Sequence, residues 1–190
     1  MKSSLWREHV LPFTLLLGLL AAATLAGDYV LHRLDLVWVG RYMGIPGTLL
    51  IIGSLYYSAR KRKWVTTGDP KSLLTMHEFG TWLGSLMVLI HAGIHFNALL
   101  PWLAILMLLI TVASGLIGKD LLKKANETLK LRRSELIQSG LSVEETDKEL
   151  FLDSITVDLM KKWRIVHMPI TLLLAFLVLM HIISVLMFSK

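Results

Sequence analysis

The chain has 190 residues, 54% of them hydrophobic, and a mean hydropathy of +0.61. That excludes an ordinary soluble domain, and the absence of cysteine excludes disulfides, thiolate metal sites, chain-held iron–sulfur clusters and covalent c-type haem attachment. The net charge of +6 is no nucleic-acid signal, because the basic residues cluster beside the ends of apolar runs, where membrane topology explains them.

Five apolar runs reach the length of a membrane-spanning helix: 10–31, 36–57, 73–99, 102–121 and 165–188. The expected fold is therefore an all-α integral membrane protein with five transmembrane helices. Little chain remains for a second domain, so residues 1–190 form a single membrane domain. Placing Arg60-Lys61-Arg62-Lys63, Lys119, Lys123, Lys124, Lys161, Lys162 and Arg164 inside puts the N-terminus inside too. All but Arg33, Arg41 and Lys190 of the 20 Lys and Arg then lie on the cytoplasmic side.

The first run, 10–31, ends in Ala21-Ala22-Ala23 and Ala26-Gly27, which resembles a signal cleavage region. It is long for a signal core, and a retained extra N-terminal helix is the expectation. A short outer connection follows, with His32, Arg33 and Arg41, and with Trp38 and Tyr42 suited to an interfacial belt. His9 and His32 flank spans in polar surroundings and read as interfacial. The second run carries Gly40, Gly44, Gly47 and Gly53 with Pro46 among them. Such small residues permit close helix approach or leave room beside a flat ligand.

Thr66-Thr67-Gly68-Asp69-Pro70 reads as a turn, and the third helix is expected to start near Ser72. His77 lies about one turn inside it. Gly80 and Gly84 follow on the same side, then His91 past the midplane and His95 one turn further. Asn97 and Pro101 mark a tight turn into the fourth helix, where Ala104, Thr111, Gly115 and Gly118 are small.

Residues 119–163 are the one sizeable polar stretch, basic first and acidic later, with a break at Ser139-Gly140. Ser142 and Glu145 have the spacing of a capping box. This reads as a helical hairpin on the cytoplasmic side. Its two halves either pair their charges as a solvated connection or dock a soluble or peripheral partner.

The fifth helix carries His167 and His181, again fourteen residues apart, as are His77 and His91. Fourteen residues is close to four helical turns, about 21 Å of rise, so both histidines of a pair share one face at two depths. With the N-terminus inside, helices three and five run the same way. His77 would then oppose His167 near the inner surface, and His91 would oppose His181 near the outer one. Ionisable side chains within a span are costly and generally face the bundle interior for a reason. A closed zinc site wants four ligands at one place. Two imidazoles per level instead suit an iron whose other ligands come from a porphyrin. His95 shares the face of His91 and is the alternative outer ligand, or else a hydrogen-bonding group for a propionate or a quinone carbonyl. Lys162 and Arg164 on the inner side, and Arg41 with Arg33 outside, are candidate propionate partners.

This register, His77–His91 and His167–His181 on the first and third of three consecutive helices, resembles the four-helix di-haem core of the cytochrome b family. That core occurs in quinol-linked dehydrogenase, hydrogenase and bc-type complexes. The resemblance covers 36–118 and 165–188, helices two to five. It implies two haem b groups, a quinone/quinol pool as one electron partner, and a second redox subunit as the other. That subunit would be an iron–sulfur, flavin or c-type cytochrome protein, since no flavin or nucleotide motif is present in this chain. It also implies a multi-pass place in a bacterial or archaeal cytoplasmic membrane. The core helices without histidine should carry small residues beside each haem; the second does, and the fourth does so in part. A non-redox membrane anchor or scaffold for a peripheral complex is the alternative from another class. A proton or metal-ion transporter using the histidines as a relay is a third, although the chain lacks the intramembrane acids such relays often add.

Overall fold

A computed structural model describes residues 11–94, 98–116 and 119–188. All regular structure among them is helical. Four helices are long and apolar enough to cross a membrane: Leu11–Arg33, Pro70–Gly93, Leu99–Leu116 and Phe151–Phe188. Their large side chains are widely exposed in the isolated chain, Leu15 at 63% and Leu25 at 72%, for example. Apolar surface on that scale belongs against lipid.

Helix α1, Leu11–Arg33, is a Leu-rich 23-residue run of about 35 Å, enough for a hydrocarbon core of about 30 Å. It stops because Asp35 turns to a left-handed conformation (φ 56°) and the Leu36 amide reaches back to the Leu31 carbonyl at 2.8 Å. That closure satisfies carbonyls which the helix end would otherwise strand.

The second expected span is three short helices in succession: α2 (Val37–Tyr42), α3 (Gly44–Ser54) and α4 (Tyr56–Lys61). Each junction is one residue, Met43 or Leu55, and both keep right-handed helical dihedrals. The first interruption follows from Pro46, whose ring supplies no N–H to the Tyr42 carbonyl and crowds it. The Met43 amide is accordingly shared between the carbonyls of Val39 and Gly40 at 3.1 and 3.2 Å. At the second, the Ser54 hydroxyl donates to the Ile51 carbonyl at 2.7 Å, and the Leu55 amide tightens onto Ile52 at 3.0 Å. Such side-chain bonds compete with the helical ladder. Helix α4 ends as α1 does, with Lys63 at φ 63° and the Trp64 amide on Ala59 at 3.0 Å.

Helix α5, Pro70–Ile94, begins two residues before the expected Ser72. Asp69 is its cap, accepting from the Ser72 amide at 2.8 Å, and Pro70 takes the first position, where no N–H is needed. Helix α6 is Leu99–Leu116 and α7 is Lys119–Gln138. Gly140 (φ 94°) closes α7, and the expected capping box opens α8, Val143–Glu149. Helix α9, Phe151–Phe188, then runs 38 residues with Pro169 inside it. The expected last span, 165–188, is therefore the end of a longer helix that already begins in the polar stretch. At about 57 Å it is nearly twice the hydrocarbon thickness.

The chain divides into two compact units. One comprises Met1–Leu17 and Ala113–Leu172; the other comprises Gly18–Val112 and Leu173–Lys190. In the first, Leu122, Ala125, Val157 and Met160 form a buried cluster with Phe13 and Leu129 against it. The basic and acidic halves of the polar stretch pair as expected there: Arg132 meets Asp153 at 2.8 Å and Arg133 meets Asp147 at 2.7 Å. In the second unit, Leu20, Leu89, Leu108 and Leu174 form the core. The most extensive packing between helices in that unit is α3 on α5, at Gly47 and Gly84.

Candidate functional site

His77 sits in the second turn of α5 and packs against the α3–α4 junction. Its Nδ1 lies 3.1 Å from the Ser54 carbonyl and 3.2 Å from the Ser54 hydroxyl. Tyr57 stacks on the ring, centroids 5.5 Å apart and planes 28° apart, and Lys61 Nζ lies 5.9 Å from the centre of the tyrosine ring. The junction at Leu55 allows this, because Ser54 and Tyr57 are three residues apart on one side of a nearly continuous helix.

His91, fourteen residues on, meets the preceding junction of the same run. Its Nδ1 lies 3.3 Å from the Gly40 carbonyl. A side-chain carbon on Gly44 would come within 2.7 Å of His91 Cδ2, so only glycine admits the ring there.

His167 belongs to the other unit, on α9. Its Nδ1 is 2.6 Å from the Ser114 hydroxyl on α6. The space beside its Cε1 is open because Gly115 has no side chain; a methyl there would be 3.3 Å away.

His77 and His167 share a local pattern beyond their spacing to the next histidine. Each is followed four residues later by a threonine whose hydroxyl donates to the histidine's own carbonyl, Thr81 at 2.6 Å and Thr171 at 2.7 Å. Each also meets a serine at Nδ1. The threonines were readable as His-x-x-x-Thr in the sequence. The serines were not, since they come from 23 and 53 residues away.

The remaining candidates are placed as follows. His181 is half-buried on α9, in the same unit as His77 and His91. His95 lies outside the described residues. Arg41 is exposed in the last turn of α2 and Lys162 is exposed on α9; Arg164 is on α9, its side chain outside the described set. Gly80 lies beside Ser54, where an added side-chain carbon would be 3.4 Å from the serine Cβ, and Gly84 lies against Gly47 and Ile51. The room these glycines leave on α5 is taken by α3. Among the described residues, no three His, Asp or Glu side chains gather as a metal-binding group.

Asp28 was not singled out by the sequence. Its Oδ1 is buried without a hydrogen bond, 3.4 Å from His32 Nδ1 and close to Gly93 of α5.

In the hydrogen-bond contacts above the ring nitrogen is Nδ1, and at His91 the Cδ2–Nε2 edge also packs against Gly44 of α3. Imidazoles that ligate iron or zinc through Nε2 are held this way, by an oxygen on the other ring nitrogen that sets tautomer and plane. No protein-family model matches the chain, and no match was found among curated proteins or solved structures.

Proposed function

We propose that the chain is a b-type cytochrome subunit carrying electrons across a membrane through two bis-histidine haems. His77 and His167 hold the inner iron, and His91 and His181 the outer one, with His95 as the alternative outer ligand. Haem supplies the one-electron couple between its ferric and ferrous forms. The chain supplies the axial imidazoles, the oxygens that orient them, and an apolar surround that keeps water from the iron.

The observation that carries this reading is the matched setting of His77 and His167. Each has an oxygen acceptor or hydroxyl at Nδ1 and a threonine braced on its carbonyl. Threonines elsewhere in the helices bond the carbonyl four residues back in the same way, as Thr24, Thr75 and Thr111 do, so what the two histidines share is the serine at Nδ1. The cytochrome b resemblance adds a quinone/quinol pool as one partner and a redox subunit as the other, in a bacterial or archaeal cytoplasmic membrane with the N-terminus inside. Lipid is the third partner, and nucleic acid is none.

An absorption spectrum of the purified chain before and after dithionite tests the proposal. Two b-type haems per chain are expected. Replacement of His77 or His167 by alanine should remove one haem and leave the other. A colourless, well-folded protein ends the proposal, and so does equal loss of both centres from either single replacement.

One observation favours a non-redox membrane anchor instead. The space beside Gly80 and Gly84, where a flat cofactor could lie, is filled by α3. Under that reading all four histidines can become leucine with partner binding intact.

A further inference from the structure

Where α4 passes into α5, the fold leaves a concentration of positive charge uncompensated. Arg60, Lys61, Arg62, Lys63 and Lys71 stand against Asp69 alone, a net +4 over residues 60–71. Asp69 is itself committed to the Ser72 amide as the cap of α5. In the polar stretch, by contrast, Lys123, Arg132, Arg133, Lys148 and Lys161 each meet a carboxylate. Among the described residues, none of the five cations in 60–71 does.

The loop that carries them is tied at two points. The Tyr56 hydroxyl lies 2.6 Å from that of Thr67, and Arg60 Nε donates to the Gly68 carbonyl at 3.2 Å. Gly68 holds φ 92° against Leu73, a conformation that a side chain would strain. Arg60 gives this tie only Nε, which leaves its two terminal nitrogens as donors. Trp64 is 74% exposed, and the Arg62 guanidinium lies 5.2 Å from the centre of its ring. An exposed indole beside cations suits the headgroup layer of a bilayer. Met76 and Phe79, also exposed, come about 8 and 12 Å further along the α5 axis than Lys71, at the depth of acyl chains.

Membrane topology asks only that cations lie at one surface. It does not ask that they be left without carboxylates on a tied loop beside an exposed indole. We propose that residues 60–71 are a binding site for the phosphate of an anionic phospholipid. Arg60 and Arg62 offer planar forks to its oxygens, and Lys63 and Lys71 add point charges. A zwitterionic lipid carries the same phosphate, but its ammonium group is repelled by the net +4. The site is independent of haem and of the function proposed above.

The full chain, immobilised in mild detergent, is washed with mixed micelles of phosphatidylglycerol and phosphatidylcholine, and the retained lipid is counted by mass spectrometry. The expected result is a single phosphatidylglycerol per chain, held in preference to phosphatidylcholine. Each cation removed should weaken retention about fivefold, so Arg62→Gln with Lys63→Gln should weaken it on the order of twentyfold. Lys71→Gln, a separate exposed position, should weaken it about fivefold if the double variant fails to fold. Lys123→Gln with Lys124→Gln removes the same charge from α7 and should change nothing. Equal loss from both double variants means diffuse attraction and overturns the proposal, as does retention without preference between the two lipids. Inorganic phosphate should not displace the lipid; displacement at millimolar concentration assigns the cations to free phosphate and overturns the lipid.

Discussion

Gly47 and Gly84 bring the backbones of α3 and α5 into direct contact. A side-chain carbon on Gly84 would lie 2.7 Å from the Gly47 carbonyl oxygen, and one on Gly47 would lie 2.9 Å from that of Gly84. Small residues of this kind let helices approach where lipid offers no hydrophobic drive for association.

Gly84→Ala should therefore destabilise the chain by about 1–3 kcal/mol, the usual cost of overpacking against atoms that cannot yield. Gly53→Ala is the control. It meets nothing within 4 Å, and alanine in a helix interior is favoured over glycine by roughly 0.5–1 kcal/mol. Thermal unfolding in one detergent should move in opposite directions for the two. A shared direction would count against the close approach.

Gly44→Ala should displace the His91 ring, since the new methyl falls 2.7 Å from Cδ2 and 3.0 Å from Nε2. Under the proposed function, the expected result is loss of one of two haems with the other retained, read as the haem-to-protein ratio. Gly115→Ala sets its methyl 3.3 Å from His167 Cε1, which a few tenths of an ångström of movement relieves, and under the same reading should keep both.

The two ion pairs of the polar stretch should differ sharply. Arg132 and Asp153 are only 15% and 11% exposed, so Asp153→Ala removes a largely shielded charged hydrogen bond and should cost about 1.5–3 kcal/mol. Arg133 and Asp147 are 51% and 57% exposed, and Asp147→Ala should cost about 0–1 kcal/mol. Amide hydrogen exchange along α7 and α9 would resolve the difference. Comparable loss of protection in both variants would refute it.

Acid should release the α8 cap late. The Glu145 carboxylate accepts from the Ser142 hydroxyl at 2.7 Å and the Ser142 amide at 3.0 Å, which holds its pKa below the ordinary glutamate value. A group whose pKa is lowered by folding contributes its stability above the unfolded value, about 4.3, and loses it as pH falls through the lower folded value. Exchange protection of α8, corrected for intrinsic rates, should hold down to mild acidity and then fall. Glu145→Gln, which cannot ionise, should flatten that dependence.

The spans with uninterrupted apolar runs were legible in the sequence, because length and hydropathy alone decide them: α1, α5, α6 and the C-terminal part of α9. So were the Ser142–Glu145 cap and the pairing of basic with acidic halves, which are local or follow from charge. The segmented second span was less so. Its composition is apolar throughout, and only Pro46 and the back-bonded Ser54 mark where the helix tightens. Asp69 as the cap of α5 was present in the Asp-Pro pair but was read as turn. The start of α9 was hidden because its first turns are polar. At the site, the histidines and the threonines four residues later could be read directly. Ser54 and Ser114 could not, since tertiary packing alone brings them to a ring. The role of Gly84 needed the neighbouring helix, whose Gly47 is the other half of the contact.

The Leu55 junction also imposes a phase. Ser54 and Tyr57 reach one imidazole from opposite sides of it only while the turn between them advances at its present angle. Adding or deleting a single residue there would swing one of them by about 100° around the axis. Conservative changes of residue type at position 55 should thus be tolerated far better than any change in its count.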